Sequence, residues 1–333
     1  MKKILRYGLG ILHGVLLGTA LLWCVGLWCY QPISLVVAAA VVCAWGGLYL
    51  YRRRYPAHTA CWLWGLVAAG IATHCALPGP CPAQWQRPWA KAPTFALNAD
   101  GNKLTVHNLR DFRYRSVQDF DSTYRTEEYD LNQLIGVDFA ECHWDGMEAI
   151  CHTMLSFHFA DGRRLVISPE TRLPMGEEQN AIGGLYKRYG LLYIFGTEED
   201  IFALRTNYRH EDLYIMPLKA TPQQARTMLL RVVELQQQAA LHHTAYNTVT
   251  HNCSTGIVDT FGLLAPNMPY RYYLLPIHNG SISRILFEHG AFLSLPGESY
   301  ADFRNRTYLG YDIAVGAPEA YSDAVRAKIA PKQ

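Results

Sequence analysis

The chain has 333 residues, half of them hydrophobic, and a formal net charge of +2 at pH 7. That length allows one or two domains with a real core, and the near-neutral charge excludes a surface built for nucleic acid or another polyanion. No zinc-type Cys-x-x-Cys pair occurs, so no metal is claimed from the sequence and no cofactor is expected.

The hydrophobic excess lies at the N-terminal end. Residues 8–30, 33–51 and 60–78 contain no Asp, Glu, Lys or Arg. Each run has 19 to 23 residues, and a helix of that length crosses the ~30 Å of a bilayer's hydrocarbon. The first run exceeds the roughly 7–15 apolar residues of a secretory signal. The expectation is a membrane domain at 1–78 with three transmembrane helices. Lys2, Lys3 and Arg6 precede the first run, and Arg52, Arg53 and Arg54 separate the second from the third. Positive-inside counting places both groups in the cytoplasm. Three crossings then carry the remainder into the periplasm of a multi-pass protein of the bacterial inner membrane.

Residues 79–101, rich in Pro and Trp, read as a linker, and 102–333 as the periplasmic domain. Lys103–Asn108 and Tyr124–Tyr129 have strand character. The clearest element is a hairpin. His152–Phe159 and Arg163–Ser168 flank Asp161-Gly162, a strong turn signal between β-rich runs. Leu213–Pro217 reads as another strand. Thr221-Pro222 supplies an N-cap and a first-turn proline for a helix reaching about His242. Ser254–Leu264 reads as a short apolar helix, and the tail from Pro276 carries no assignable motif. Cys142 and Cys151 flank a short connection, and Cys75 and Cys81 form a second close pair. Either pair is a candidate disulfide in an oxidising compartment, the alternative being free thiols.

The chemistry centres on Asn252-Cys253. A thiol at the first turn of a helix meets backbone N–H groups and the positive end of the dipole, which favour a thiolate. His152, at the start of a strand, is the candidate base. Glu170, just past the partner strand, is the candidate third member that fixes the imidazole tautomer. Asn252 is a candidate oxyanion donor. His158, His251, His242 and His243 compete as bases. His158 shares a strand face with His152. Against this stands the plain alternative: a buried structural thiol and a hydrogen-bonding histidine.

Several segments occur in a specific order. These are Val106-His-Asn-Leu-Arg-Asp-Phe-Arg-Tyr-Arg115, Tyr129-Asp-Leu131, His152-Thr-Met-Leu-Ser-Phe157, Ser168-Pro-Glu170, Leu204-Arg-Thr-Asn-Tyr-Arg209 and Tyr246-Asn-Thr-Val-Thr-His-Asn-Cys253. Together, over about residues 100–265, they resemble the Lnb N-terminal periplasmic domain family, named for a bacterial lipoprotein N-acyltransferase. The order, histidine strand first and Asn-Cys helix later, is also similar to circularly permuted papain-like folds such as the lecithin:retinol acyltransferase group. The resemblance implies a permuted papain-like domain of antiparallel sheet and helices, so the expected fold class is α+β, with that domain following the three transmembrane helices read from the apolar runs. It implies a thioester on Cys253, with a phospholipid as acyl donor and a diacylglyceryl lipoprotein as acceptor. Arg205, Asn207, Arg209, Tyr246 and Asn247 fall in matching segments and become candidate substrate-binding residues. One departure stands out. The naming acyltransferase carries its membrane part after the periplasmic domain, whereas here the apolar runs come first.

Three functions compete. The first is a membrane-anchored lipoprotein N-acyltransferase. The second is a papain-like thiol amidase or peptidase acting on cell-wall peptide, using the same Cys–His pair. The third is a non-enzymatic periplasmic module.

Overall fold

In the computed structural model, the described residues are 2–30, 47, 56–261 and 279–330. They fall into two compact units. One comprises Met1–Pro80 with Asn180–Arg188, and the other Cys81–Gln179 with Tyr189–Gln333.

The first unit contains α1 (Lys2–Tyr30) and α2 (Pro56–Ala76). Among the described residues no helix is long and apolar enough to cross a membrane. This overturns the expectation of three N-terminal transmembrane helices. The run at 33–51 lies, Gly47 apart, outside the described residues. The first and third runs nevertheless fold as the helices α1 and α2, with glycine, threonine and histidine set among their apolar residues. The hydroxyls of Thr19 and Thr73 turn back onto the carbonyls of Val15 and Ala69.

The second unit is built on a sheet of β1 (Thr94–Leu97), β2 (Lys103–Arg110), β5 (Tyr124–Asp130), β6 (Leu134–His143), β7 (His152–Phe159), β8 (Arg164–Arg172), β9 (Gly190–Gly196) and β10 (Asp212–Pro217). Two short strands, β3 (Arg113–Tyr114) and β4 (Phe120–Asp121), pair apart from it. The main order is β1-β2-β9-β8-β7-β6-β10, with β5 also paired to β2. Pairing is antiparallel except for one parallel bridge, Arg110↔Gly196 between β2 and β9. The 79–101 stretch joins this unit from Cys81 onward. Gln86 N–H donates to the Leu173 carbonyl, and β1 pairs with β2.

Strand alternation sends successive side chains to opposite faces, and helices cover both. On one face Leu155, Phe157, Phe159 and Ile167 pack with α4 (Pro222–Leu241), α5 (Cys253–Phe261) and α6 (Ile282–Glu288). On the other, Met154, Val166, Leu192 and Ile194 meet α3 (Glu198–Ala203) and α8 (Pro318–Ile329). The arrangement is mixed α+β with an antiparallel-rich sheet. Helix α4 starts where Thr221 caps it, through a capping box with Gln224. At the β10 edge, Leu309 N–H donates to the Leu213 carbonyl and Leu293 N–H to that of Pro217. Tyr308, just past α7 (Tyr300–Thr307), bridges Tyr214.

Neither candidate disulfide is present: Cys142, Cys151, Cys75 and Cys81 are free thiols. Cys142 instead donates to Glu211 Oε2 at 3.0 Å.

Gly256 is the point of closest approach between α5 and β9. A methyl group there would run into the Tyr193 ring, which is itself buried. Gly256→Ala is expected to lower the unfolding free energy by about 1–3 kcal/mol, the usual range for overpacking. A urea titration that finds undiminished stability would refute this seating of α5.

Candidate active site

The site forms where β7 and β8 part. The two strands pair from His158↔Arg164 to Leu155↔Ile167. Beyond that point β7 follows β6 to Cys142↔His152, while β8 follows β9 to Arg172↔Gly190. Helix α5 packs against both diverging strands and brings its first residue, Cys253, to the opening.

Asn252 makes this helix start possible. Its Oδ1 accepts the N–H groups of Ser254 at 3.0 Å and Thr255 at 3.1 Å, and its Nδ2 donates to the Thr248 carbonyl at 2.9 Å. The side chain is an N-cap, which holds Asn252 beside the thiol.

Cys253 and His152 lie close enough for each to shift the other's ionisation. His152 Nε2 lies 2.7 Å from Ser168 Oγ and 3.4 Å from Glu170 Oε1. Ser168 Oγ in turn donates to Glu170 Oε1 at 2.6 Å. With Nε2 turned to Ser168 and Glu170, Nδ1 is the ring nitrogen left for another partner. The three residues expected as a catalytic set thus assemble, with Ser168 as an unforeseen link. Spacing could have suggested it, since Ser168 and Glu170 share a face of β8.

Electrostatics favour a thiolate–imidazolium pair. Burial opposes ionisation of Cys253. The hydrogen bond and charge of His152 outweigh it, with help from Ser254 and Thr153, and hold the thiol below its usual range. For His152, burial and Arg205 oppose the charged form. Glu170 and Cys253 prevail and raise it. Burial would raise Glu170, yet His152, Arg205 and Ser168 leave it far below the usual carboxylate range.

Asn279 is the residue that sequence reading missed. It is buried. Its Oδ1 accepts Cys151 N–H at 2.9 Å, and its Nδ2 donates to the Cys151 carbonyl at 2.6 Å and Ser254 Oγ at 2.5 Å. The same nitrogen stands 3.9 Å from Cys253 Sγ. One amide therefore fastens the residue before His152 to the residue after Cys253.

The remaining candidates separate. Arg205 is buried, donating to Glu170 Oε1 and Glu211 Oε2, both at 3.1 Å. It stands behind the triad and positions Glu170. Asn207 binds the backbone N–H and carbonyl of Ile313. Arg209 lies 3.6 Å from Glu211. None of these three reaches Cys253. Tyr246 does border the site: burial, then the nearby Cys253, raises its hydroxyl, which bonds Thr171. Asn247 closes the 247–251 turn by accepting the Val249 and Thr250 N–H groups. Among the competing bases, His158 is bound to Asp138 at 2.8 Å and to Arg326. His242 binds Gln238, and His251 the Thr250 hydroxyl.

Residues 120–282 match the family model of the Lnb N-terminal periplasmic domain. This region, which holds His152, Glu170, Cys253 and Asn279, is a member of that family and a periplasmic module of the cell envelope. No curated protein and no solved structure matches the chain.

Iodoacetamide is expected to alkylate Cys253 at pH 7 faster than an ordinary thiol. His152→Ala should slow this about tenfold or more, because only the thiolate attacks. Equal rates in the two proteins would rule out the ion pair. Asn252→Ala should cost about 1 kcal/mol in chemical unfolding, the usual worth of an N-cap.

Proposed function

We propose that this periplasmic domain is a thiol acyltransferase that passes an acyl chain from a phospholipid to the N-terminal amine of a lipoprotein. The observation that carries the reading is the electrostatic coupling of Cys253 to His152, with Glu170 Oε1 3.4 Å from His152 Nε2. The match to a periplasmic domain family supports the reading, because lipoprotein amines and phospholipid head groups are both available in that compartment. The chain order, His152 strand first and Cys253 helix later, is that of permuted papain-like enzymes and supports the same chemistry.

In the first half-reaction the Cys253 thiolate attacks the ester carbonyl of the phospholipid. Negative charge gathers on the carbonyl oxygen, where the N-terminal end of α5 favours it. The C–O bond breaks as the His152 imidazolium gives its proton to the departing lyso-phospholipid oxygen. The acyl group then rests on sulfur as a thioester. In the second half, the lipoprotein amine attacks the thioester carbonyl and His152 accepts its proton. The C–S bond breaks and the thiolate returns. Glu170, held by Ser168 and Arg205, keeps the ring in one orientation through both halves. An amine outcompetes water only where it is held close and solvent is excluded.

Incubation of the purified full-length chain with a phospholipid is expected to add one acyl mass to the peptide carrying Cys253. Cys253→Ala should abolish the adduct, and a diacylglyceryl lipopeptide should discharge it from the wild type as an N-acylated product. Cleavage of cell-wall peptides without an acyl adduct would instead identify a thiol peptidase. Activity that survives Cys253→Ala would refute both.

A further inference from the structure

A second cluster, which the acyl-transfer steps do not use, adjoins the site at Cys151. β6 ends with Glu141 and His143 on one face of the strand, and Cys151 returns just before β7. A carboxylate oxygen of Glu141, a ring nitrogen of His143 and the Cys151 sulfur lie within 4.8 Å of one another, and all three residues are buried. His143 Nε2 stands 2.7 Å from Glu141 Oε1, while Nδ1 stands 3.1 Å from the Met147 carbonyl. Glu141 Oε2 is buried and has no hydrogen-bond partner among the described residues. A carboxylate oxygen sealed from water without a partner is costly and uncommon.

We propose that Glu141, His143 and Cys151 form a binding site for a zinc-type divalent cation. One thiolate, one imidazole and one carboxylate suit Zn2+, where Mg2+ and Ca2+ take oxygen alone. An imidazole that ligates through Nε2 directs its Nδ1–H to a backbone carbonyl, and Met147 supplies it. Bond lengths of about 2.0–2.3 Å to a tetrahedral ion place ligand atoms roughly 3.3–3.6 Å apart. The present separations reach that by side-chain shifts of about 1 Å. The thiol proton leaves to solvent as the sulfur binds. The two negative ligands then match the charge of the ion, so the buried set is neutral. The connection at 144–150 above the cluster is largely exposed and gives the ion a way in. Arg304, which acts on both His143 and Cys151, is drawn to Glu148 of that connection at 2.7 Å. Bound there, the ion would tie the end of β6 to the backbone that leads into His152. This site does not depend on the acyl-transfer reading.

The test uses the full-length protein carrying Cys253→Ala, so that the candidate nucleophile cannot supply a sulfur ligand. Titration with Co2+ is expected to produce a thiolate-to-cobalt charge-transfer band in the near ultraviolet, saturating at about one equivalent and displaced by Zn2+. Cys151→Ser should remove the band. Glu141→Gln, nearly isosteric, should weaken Zn2+ binding about tenfold or more, with an unchanged circular dichroism spectrum, and it decides the matter if the serine variant fails to fold. Absence of the band, its survival in folded Cys151→Ser, or undiminished affinity in folded Glu141→Gln would overturn the proposal.

Discussion

A thiol and an imidazole can share a proton only if two chain segments a hundred residues apart are held within hydrogen-bonding reach. The parting of β7 from β8 meets that constraint. Had the two strands stayed paired to their ends, His152 would lie in a closed ladder with no room for a helix terminus. Each strand instead stays paired to its outer neighbour, so the backbone remains satisfied while the gap opens. Helix α5 enters the gap with its N-terminus foremost, and that end of a helix favours negative charge. Asn279 closes the arrangement by bonding to both sides of it.

Charges behind the site alternate in sign. The pair formed by Cys253 and His152 is followed by Glu170, Arg205 and Glu211, each bonded to the next. Buried ion pairs add little net stability, because desolvation offsets attraction. Their value here is orientation. Arg205 makes it unfavourable for Glu170 to accept a proton, and an ionised Glu170 makes it favourable for His152 to hold one. The chain of pairs therefore sets which atom carries the proton before substrate arrives. The price is sensitivity: removing any one member leaves its neighbour charged and unpaired in the interior.

Much of this was legible in the sequence, unevenly. Local signals read true: Asp161-Gly162 marked the hairpin, and Thr221-Pro222 marked the start of α4. The Cys253, His152 and Glu170 set was legible because residue type, helix position and strand position each limited the choice. Asn279 was not, since it lies 128 residues from its partner Cys151 and an isolated asparagine carries no pattern. Asn252 was singled out for its place beside the thiol, and its capping of α5 was not foreseen. A residue one step before a helix caps it far more readily than it reaches outward. The N-terminal runs were legible as helices, but freedom from charge did not by itself establish a membrane span.

The β10 edge carries a further consequence. An uncovered edge strand presents a row of unpaired backbone groups that can recruit a strand from another chain. Here the chain beyond residue 290 lies along that edge, donating from Leu293 and Leu309 and bridging through Tyr308. The C-terminal portion thus acts as a guard on the sheet. It contributes nothing to the thiol chemistry, yet it protects the molecule from self-association in a crowded envelope. Shortening the chain there would expose an adhesive margin well before it disturbed the surroundings of Cys253.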